Sequence, residues 1–137
     1  MGNRRRAREL ALACLYRADL LERWEGACVE APLGSWSDDE AVVEFARRLL
    51  RGVRDHRGRI DAVVQAHADH WTIPRMNIVD RNIMRMAAYE ILFCEDIPKK
   101  VSIYEAIELA KRYSSKDAGS FLNGILDRIE GSGSPHG

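Results

Sequence analysis

Long apolar runs are missing from this sequence of 137 residues. No stretch approaches the roughly 20 apolar residues that a membrane-spanning helix needs, and the first residues lack the apolar segment of a secretory signal peptide. Cysteine is scarce, since only Cys14, Cys28 and Cys94 are present, at unrelated spacings. An odd, unpatterned set of cysteines predicts reduced thiols instead of a disulfide framework. We therefore expect a cytoplasmic protein that makes no membrane contact.

Motifs for catalysis and cofactor binding are missing as well. No serine lies on a Gly-x-Ser-x-Gly elbow, and no glycine-rich loop could cradle phosphates. His56, His67 and His70 lie near Asp61 and Asp69 in the sequence. However, His67 and His70 are three residues apart in a polar segment near a predicted helix end, which favours solvated side chains over a metal site. The sequence therefore predicts a protein that is not an enzyme and holds no metal or cofactor.

Helical periodicity, in contrast, covers almost the whole chain, with few strand signals. Possible capping residues and apolar stripes predict helices that start at about Asn3, Ser37, Ile60, Asn77, Ser102 and shortly after Ser115. Residues 25–36 are predicted to form a loop, and residues 51–59 a basic turn between two helices. The sequence thus predicts an all-α protein with six or seven helices.

The segment at Trp71 and Pro74 interrupts this pattern, because a residue before proline is pushed away from helical backbone. We predict one domain over residues 1–130 with a division at Trp71, giving parts of about 3–70 and 71–130. Residues 131–137 have the composition of a flexible tail.

The pair Asn123 and Gly124 is a strong hairpin signal, but the apolar residues around it keep helical phase, so we predict a helix there. A glycine inside a helix costs about 1 kcal/mol relative to alanine. We therefore expect another backbone, or a ligand, to approach Gly124 closely.

Four arginines lie among the first eight residues, at a predicted helix start: Arg4, Arg5, Arg6 and Arg8. Cations at a helix N-terminus are unfavourable by about 0.3–1 kcal/mol. The chain as a whole has a formal net charge of zero, so this local cluster indicates either a polyanionic partner or a solvated, frayed terminus. RNA binding would also need aromatic stacking platforms. The candidates are Tyr16, Tyr104, Tyr113 and Phe121, although for each of them taken alone core packing is the favoured role.

Several stretches of the chain together resemble the bacterial NusB (N-utilisation substance B) family of transcription antitermination factors. The first runs from Arg4-Arg-Arg-Ala-Arg-Glu to Cys14-Leu-Tyr16, and the second covers residues 79–92, with Val-Asp-Arg and Tyr-Glu-Ile-Leu. The third joins Glu-Ala-Ile-Glu-Leu-Ala-Lys, at residues 105–111, to Phe-Leu-Asn-Gly-Ile-Leu-Asp, at residues 121–127. Residues 25–75 match only in helix pattern.

This resemblance implies an all-helical fold of two three-helix halves and a function without catalysis. It implies pairing with NusE, a small-subunit ribosomal protein, and joint binding of single-stranded boxA RNA in ribosomal RNA leaders. The complex would join RNA polymerase and other Nus factors and suppress premature termination. Self-association as a homodimer, which would mask the RNA face, stays open.

The resemblance also implies roles for individual residues. The implied RNA contacts are Arg4, Arg5, Arg6, Arg8, Tyr16, Arg85, Asp117 and Phe121. The implied NusE contacts are Tyr16 and Asp80. The chain departs from the common family pattern at residues 102–104 and 114–115, which leaves the roles of Tyr104 and Tyr113 open.

Two alternative functions remain open. The same helical fold serves as the RNA-binding domain of a ribosomal RNA methyltransferase, but that enzyme needs a long catalytic region after the domain, so a stand-alone factor or RNA-binding domain is expected here. Alternatively, the chain is a protein-interaction scaffold whose basic N-terminus binds an acidic protein.

Overall fold

The structure is a computed structural model that describes residues 2–69 and 72–132. Within these ranges the chain forms six α-helices, two short 3-10 helices and no strand. The α-helices are α1 (Gly2–Leu21), α2 (Leu33–Trp36), α3 (Glu40–His67), α4 (Ile78–Phe93), α5 (Lys99–Tyr113) and α6 (Lys116–Gly131), and the 3-10 helices are Gly26–Glu30 and Ile73–Arg75. The predicted all-α fold is confirmed. Across the described ranges, no helix has the length and apolar character needed to cross a membrane.

The described residues form two compact units, one reaching from the start of the chain to Asp55 and one beginning at His56. His56 lies inside α3 but departs from helical geometry, with φ −118° and ψ 16°, so the helix is kinked there. The predicted break between two helices at residues 51–59 is confirmed in position, since His56 lies within it, but the connection is a kink at this one residue instead of a turn of several residues. Trp71 lies outside the described residues, so a division at that position stays a prediction, as does the flexibility of the tail, of which residues 133–137 also lie outside.

In the first unit, α1 packs against the 3-10 helix Gly26–Glu30 and against α2. Its buried apolar residues are Ala7, Leu10, Ala11, Leu12, Cys14, Leu15 and Ala18. This confirms the predicted apolar stripe of Ala7, Ala11, Cys14, Leu15 and Ala18 with Leu10 beside it, whereas Leu21, which was also predicted to belong to it, is exposed. Burial raises the pKa of the Cys14 thiol to about 12, so the sulfur stays protonated and acts as a core atom. The prediction of a loop at 25–36 missed two short helices, which the buried Val29 and Leu33 anchor.

In the second unit, α4, α5 and α6 pack against one another in all three pairs. The core between them contains Ile83, Met84, Met86, Leu122, Ile125, Leu126 and Ile129. α6 runs unbroken through Asn123 and Gly124, so helical phase overrides the hairpin signal as predicted. However, no described atom would lie within 4 Å of a Cβ added at Gly124, so the expected close approach of another backbone was wrong.

Capping side chains fix where several helices begin. Asn77 caps α4 as predicted, its Oδ1 accepting from the amides of Val79 at 2.7 Å and Asp80 at 3.3 Å. α3 is capped by Asp39, whose Oδ1 accepts from the Ala41 amide at 3.0 Å, and not by the predicted Ser37.

The predicted cap at Ser102 was also wrong. α5 already begins at Lys99, and the buried Ser102 hydroxyl donates to Glu90 Oε1 on α4 at 2.8 Å. The hydroxyl therefore serves a buried contact between helices instead of a helix end. α6 is capped by Ser115, whose Oγ accepts from the Ala118 amide at 3.1 Å.

Candidate nucleic-acid interface

The predicted arginine cluster occupies the first two turns of α1. Arg4 and Arg6 are exposed, Arg5 is half-buried, and Arg8 is only 4% exposed. The first turn of this helix contains no acidic residue. Arg6 Nη1 lies 3.8 Å from Oε1 of Glu9, whose side chain is only 12% exposed. Residues 2–9 contain four arginines and this one acidic residue, so the start of α1 has a net positive charge where the helix dipole is already positive.

Phe45 of α3 contacts guanidinium groups from α1 and from α3 itself. The guanidinium carbons of Arg4, Arg8 and Arg48 lie 4.5, 5.4 and 5.9 Å from the centre of its ring. Each contact is within the range of a cation–π interaction, which contributes about 0.5–2 kcal/mol. The buried Arg8 thus helps to order the basic surface from beneath, while Arg4 stays at the surface.

A groove of about 770 Å³ lies beside this ring, and we call it the α3 groove. Four arginines and one glutamate line it together with Phe45: Arg4, Arg47, Arg48, Arg51 and Glu44. The arginines of α3 were not predicted from the sequence to form a basic surface. The signal was present, because Arg47 and Arg51 are four residues apart and therefore share a helix face.

Glu30 holds two of these arginines in position. Its carboxylate accepts from Nε and Nη2 of Arg51, both at 2.8 Å, and lies 3.4 Å from Nε of Arg47. The hydrogen bond from Arg51 is the main cause that lowers the pKa of Glu30, with the charges of Arg51, Arg47 and Arg54 adding to it. The same hydrogen bond raises the pKa of Arg51. The two groups therefore stay ionised, and the orientation of the Arg51 guanidinium group is fixed.

Three of the four aromatic candidates are exposed side chains. Tyr16 is 38% exposed on α1, and Tyr104 and Tyr113 are exposed on α5. Tyr16 lies eleven residues after Arg5, which places both on the same face of α1, about 16 Å apart along the axis. Tyr16 is therefore available as a stacking platform in the first unit.

Three predicted residues meet in the second unit. Asp80, Asp117 and Phe121 line a pocket of about 370 Å³ at the start of α4 and α6, which we call the α4–α6 pocket. Arg75, which was not among the predicted residues, also lines it. Within the described part of the chain, Asp80 Oδ1 is buried and has no hydrogen-bond partner. The pocket therefore combines a half-buried aromatic ring with carboxylate acceptors.

Arg85 has a different environment from the other predicted contacts. It is 6% exposed, and its Nε and Nη2 donate to Asp61 Oδ1 at 2.8 Å and Oδ2 at 3.1 Å. Its Nη1 donates to Asn82 Oδ1 at 3.1 Å. The guanidinium could reach RNA only if this paired network opened, so its RNA role stays a prediction while its structural role is evident.

The histidines do not form a metal centre with neighbouring ligands in the part of the chain that the structure describes. His56 stacks on Phe93, with ring centres 4.2 Å apart. His67 Nδ1 lies 2.9 Å from the Val63 carbonyl oxygen. The predicted third member, His70, lies outside the described residues.

Comparison with known proteins points to one family. The family model described as "NusB family" matches residues 5–131. A protein of Trichlorobacter lovleyi named transcription antitermination protein NusB is 49% identical over 130 residues, covering 95% of this chain and 92% of the relative. A Myxococcus xanthus protein of the same name is 40% identical over 136 residues, covering 94% of this chain and 95% of the relative.

Solved structures agree in fold. T. maritima NusB superposes with a TM-score of 0.84 at 40% identity, covering 97% of this chain and 94% of that one. A chain from a crystal structure of the antitermination factors NusB and NusE in complex with double-stranded RNA gives a TM-score of 0.83 at 28% identity, covering 97% and 99%. The similarity therefore extends over nearly the full length of both proteins.

Proposed function

This chain belongs to the NusB family, and on that premise we propose that it is a non-catalytic transcription antitermination factor that binds RNA together with NusE. Its curated relatives carry the name of such a factor, and a structural neighbour was solved with NusE and RNA. In the finer form of the proposal, the RNA is the single-stranded boxA element of ribosomal RNA leaders. The bound complex joins RNA polymerase and other Nus factors in the cytoplasm.

The arginine cluster on α1 is the observation that carries this proposal. Residues 2–9 contain four arginines and one acidic residue, Glu9, and this net positive charge lies where the dipole of the helix is also positive. Phosphate is a fitting partner, because the free amides of a helix N-terminus and the arginine forks both donate to its oxygens. Arg4, Arg5 and Arg6 are the proposed phosphate contacts, with Tyr16 stacking on a base or contacting NusE.

The α4–α6 pocket supports a second set of contacts. Phe121 offers a ring on which a base can stack, which contributes about 1–3 kcal/mol. Asp117 is exposed beside it and can accept from the amino group of a base, as carboxylates do for cytosine. The unpartnered Oδ1 of Asp80 is an acceptor that a donor of NusE would satisfy, since a buried oxygen without a partner costs about 1–3 kcal/mol.

The direct test is binding of a labelled single-stranded boxA-like RNA, with and without NusE, at about 50 and about 200 mM salt. We expect NusE to tighten binding, and the logarithm of affinity to fall with the logarithm of salt at a slope near −2 if three phosphates are contacted. A duplex of the same sequence serves as the comparison, and we expect it to bind more weakly than the single strand.

Variants identify the surface. The double change Arg4→Gln and Arg6→Gln should weaken binding to all RNAs alike, because phosphate contacts carry no sequence information. The matched control removes two exposed arginines elsewhere, Arg23→Gln and Arg59→Gln. An affinity independent of salt, or preference for an acidic peptide over RNA in the presence of NusE, would favour the scaffold function instead.

A further inference from the structure

We propose that the α3 groove is a second phosphate-binding surface, which takes the sugar–phosphate backbone of the transcript beyond the segment held by the cluster on α1. The inference rests on the proposed RNA-binding function and extends it to Arg47, Arg48 and Arg51. Arg4 belongs both to the cluster and to the groove wall, so the groove continues the basic surface of the first unit.

Charge is the first argument. Four arginines and the carboxylate of Glu44 line the groove. Glu30 adds a second carboxylate, which pairs with Arg47 and Arg51, so the arginines outnumber these two carboxylates. All four cations are arginines, whose planar forks match phosphate oxygens in pairs. The groove has a volume of about 770 Å³, which is enough for the sugar–phosphate backbone of a few nucleotides together with bound water. Its net positive charge favours a polyanionic ligand.

Fixed geometry is the second argument. Glu30 engages Nε and Nη2 of Arg51, and this leaves its Nη1 hydrogens for another acceptor. The Arg51 side chain remains 53% exposed in this arrangement. Arg47 and Arg51 lie one helical turn apart, about 6 Å along α3. Because their orientation is already set, a bound phosphate need not order them, which lowers the entropic cost of binding.

The burial of Phe45 indicates which part of an RNA the groove can bind. Its ring is only 8% exposed and lies beneath the guanidinium groups of Arg4 and Arg48. A base therefore has no free aromatic face to stack on in this groove. We infer that the groove binds backbone phosphates and adds affinity without adding sequence preference.

The experiment compares two RNAs, a short boxA-like RNA and one extended at both ends by unrelated sequence, using the full chain with NusE. Arg48→Gln and Arg51→Gln should each weaken binding of the extended RNA roughly tenfold at low salt. Each should also make its salt slope shallower by about 0.7. Binding of the short RNA should change little. Arg59→Gln, an exposed arginine on α3 that does not line the groove, is the matched control.

Glu44→Gln is the complementary variant, because it removes the negative charge from the groove and should tighten binding of the extended RNA. A gain of affinity cannot come from unfolding. Unchanged affinity and salt slope in all three groove variants would overturn the inference. The inference would also be overturned if the groove variants lost binding of an acidic peptide but kept their binding of the extended RNA. If the unaltered protein with NusE binds neither RNA, the proposed function itself fails, and that result differs from either of these.

Discussion

The guanidinium carbon of Arg4 lies 4.5 Å from the centre of the Phe45 ring, which ties the start of α1 to the middle of the first half of α3. The ring also lies near Arg8 and Arg48, so one buried aromatic side chain gathers cations that are about 40 residues apart in sequence. Like charges repel when they are brought together, and the quadrupole of the ring offsets part of that cost. The basic surface of the first unit therefore depends on an apolar residue.

Replacing Phe45 with leucine tests this dependence. Phe45→Leu keeps an apolar core residue, so it should lower the free energy of unfolding by only about 1–2 kcal/mol. RNA affinity should fall as well, because the arginines lose their platform. Urea unfolding and RNA binding measure the two effects. Phe93→Leu, at a half-buried aromatic residue of the second unit, should lower stability but leave RNA affinity unchanged. Equal RNA loss in both variants would contradict the role of Phe45.

Arg85 should prove structural. Arg85→Ala leaves Asp61 without its two hydrogen bonds from Arg85. Because the Asp61 side chain is 27% exposed, the loss of these charge-assisted bonds costs about 1.5–3 kcal/mol. We expect a large loss in urea unfolding and normal RNA affinity for the protein that remains folded. The double variant Arg85→Met with Asp61→Asn should recover part of the lost stability, since no uncompensated charge then stays buried. Normal stability with weakened RNA binding would show instead that Arg85 contacts RNA.

Low pH should break the contacts of Glu30 with Arg47 and Arg51 on α3. The folded protein holds the pKa of Glu30 below its ordinary value of 4.5, chiefly through the hydrogen bond from Arg51. A lowered pKa in the folded state adds stability that is complete above the ordinary value and is lost as pH falls through the lowered one. The free energy of unfolding should thus decline below about pH 4.5, and Glu30→Gln should flatten this part of the profile. The comparison is Asp55→Asn, which removes a carboxylate that contacts the neighbouring Arg54. If the free energy of unfolding of Glu30→Gln fell with pH as steeply as that of the unaltered protein, Glu30 would not stabilise the fold through these arginines.

Variants in the α4–α6 pocket should affect NusE binding and RNA base preference separately. Asp80→Asn should weaken NusE binding, because it halves the charge-assisted acceptor capacity at this site, while RNA binding without NusE stays the same. Phe121→Leu should relax base preference more than it lowers overall affinity. Titration with NusE and competition between RNA sequences measure these effects. Asp127→Asn, exposed on the same helix outside the pocket, should change neither quantity.

The sequence predicted the helices well because their apolar stripes repeat over several turns, and the core of α1 around Cys14 and Leu15 follows directly from that pattern. In α3 the break between two helices was predicted at the right place but too long, because the glycines and arginines at 51–59 suggested a turn where only His56 departs from helical geometry. The prediction failed at Ser102, whose hydroxyl donates to the buried Glu90, since a partner on another helix cannot be inferred from local spacing.

The candidate site was predicted only where the residues are close in sequence or belong to a family motif. The cluster at Arg4 to Arg8 and the pair Asp117 and Phe121 are of this kind. The α3 groove was missed because it depends on Phe45 bringing Arg4 and Arg48 together across two helices. Contacts between residues distant in sequence arise only from packing.

Gly124 offers a last test of whether a ligand lies against α6. A Cβ at this position would meet no described atom within 4 Å, and the backbone is helical. Gly124→Ala should therefore raise the free energy of unfolding by about 0.4–1 kcal/mol, because alanine has less conformational freedom to lose on folding. Thermal or urea unfolding measures this gain, and Gly131→Ala at the end of the helix, where fraying reduces the benefit, is the control. Because the added methyl group faces open space, RNA affinity with NusE should stay unchanged. A stabilised variant that loses RNA or NusE binding would instead mark this glycine as a point of close approach for the partner.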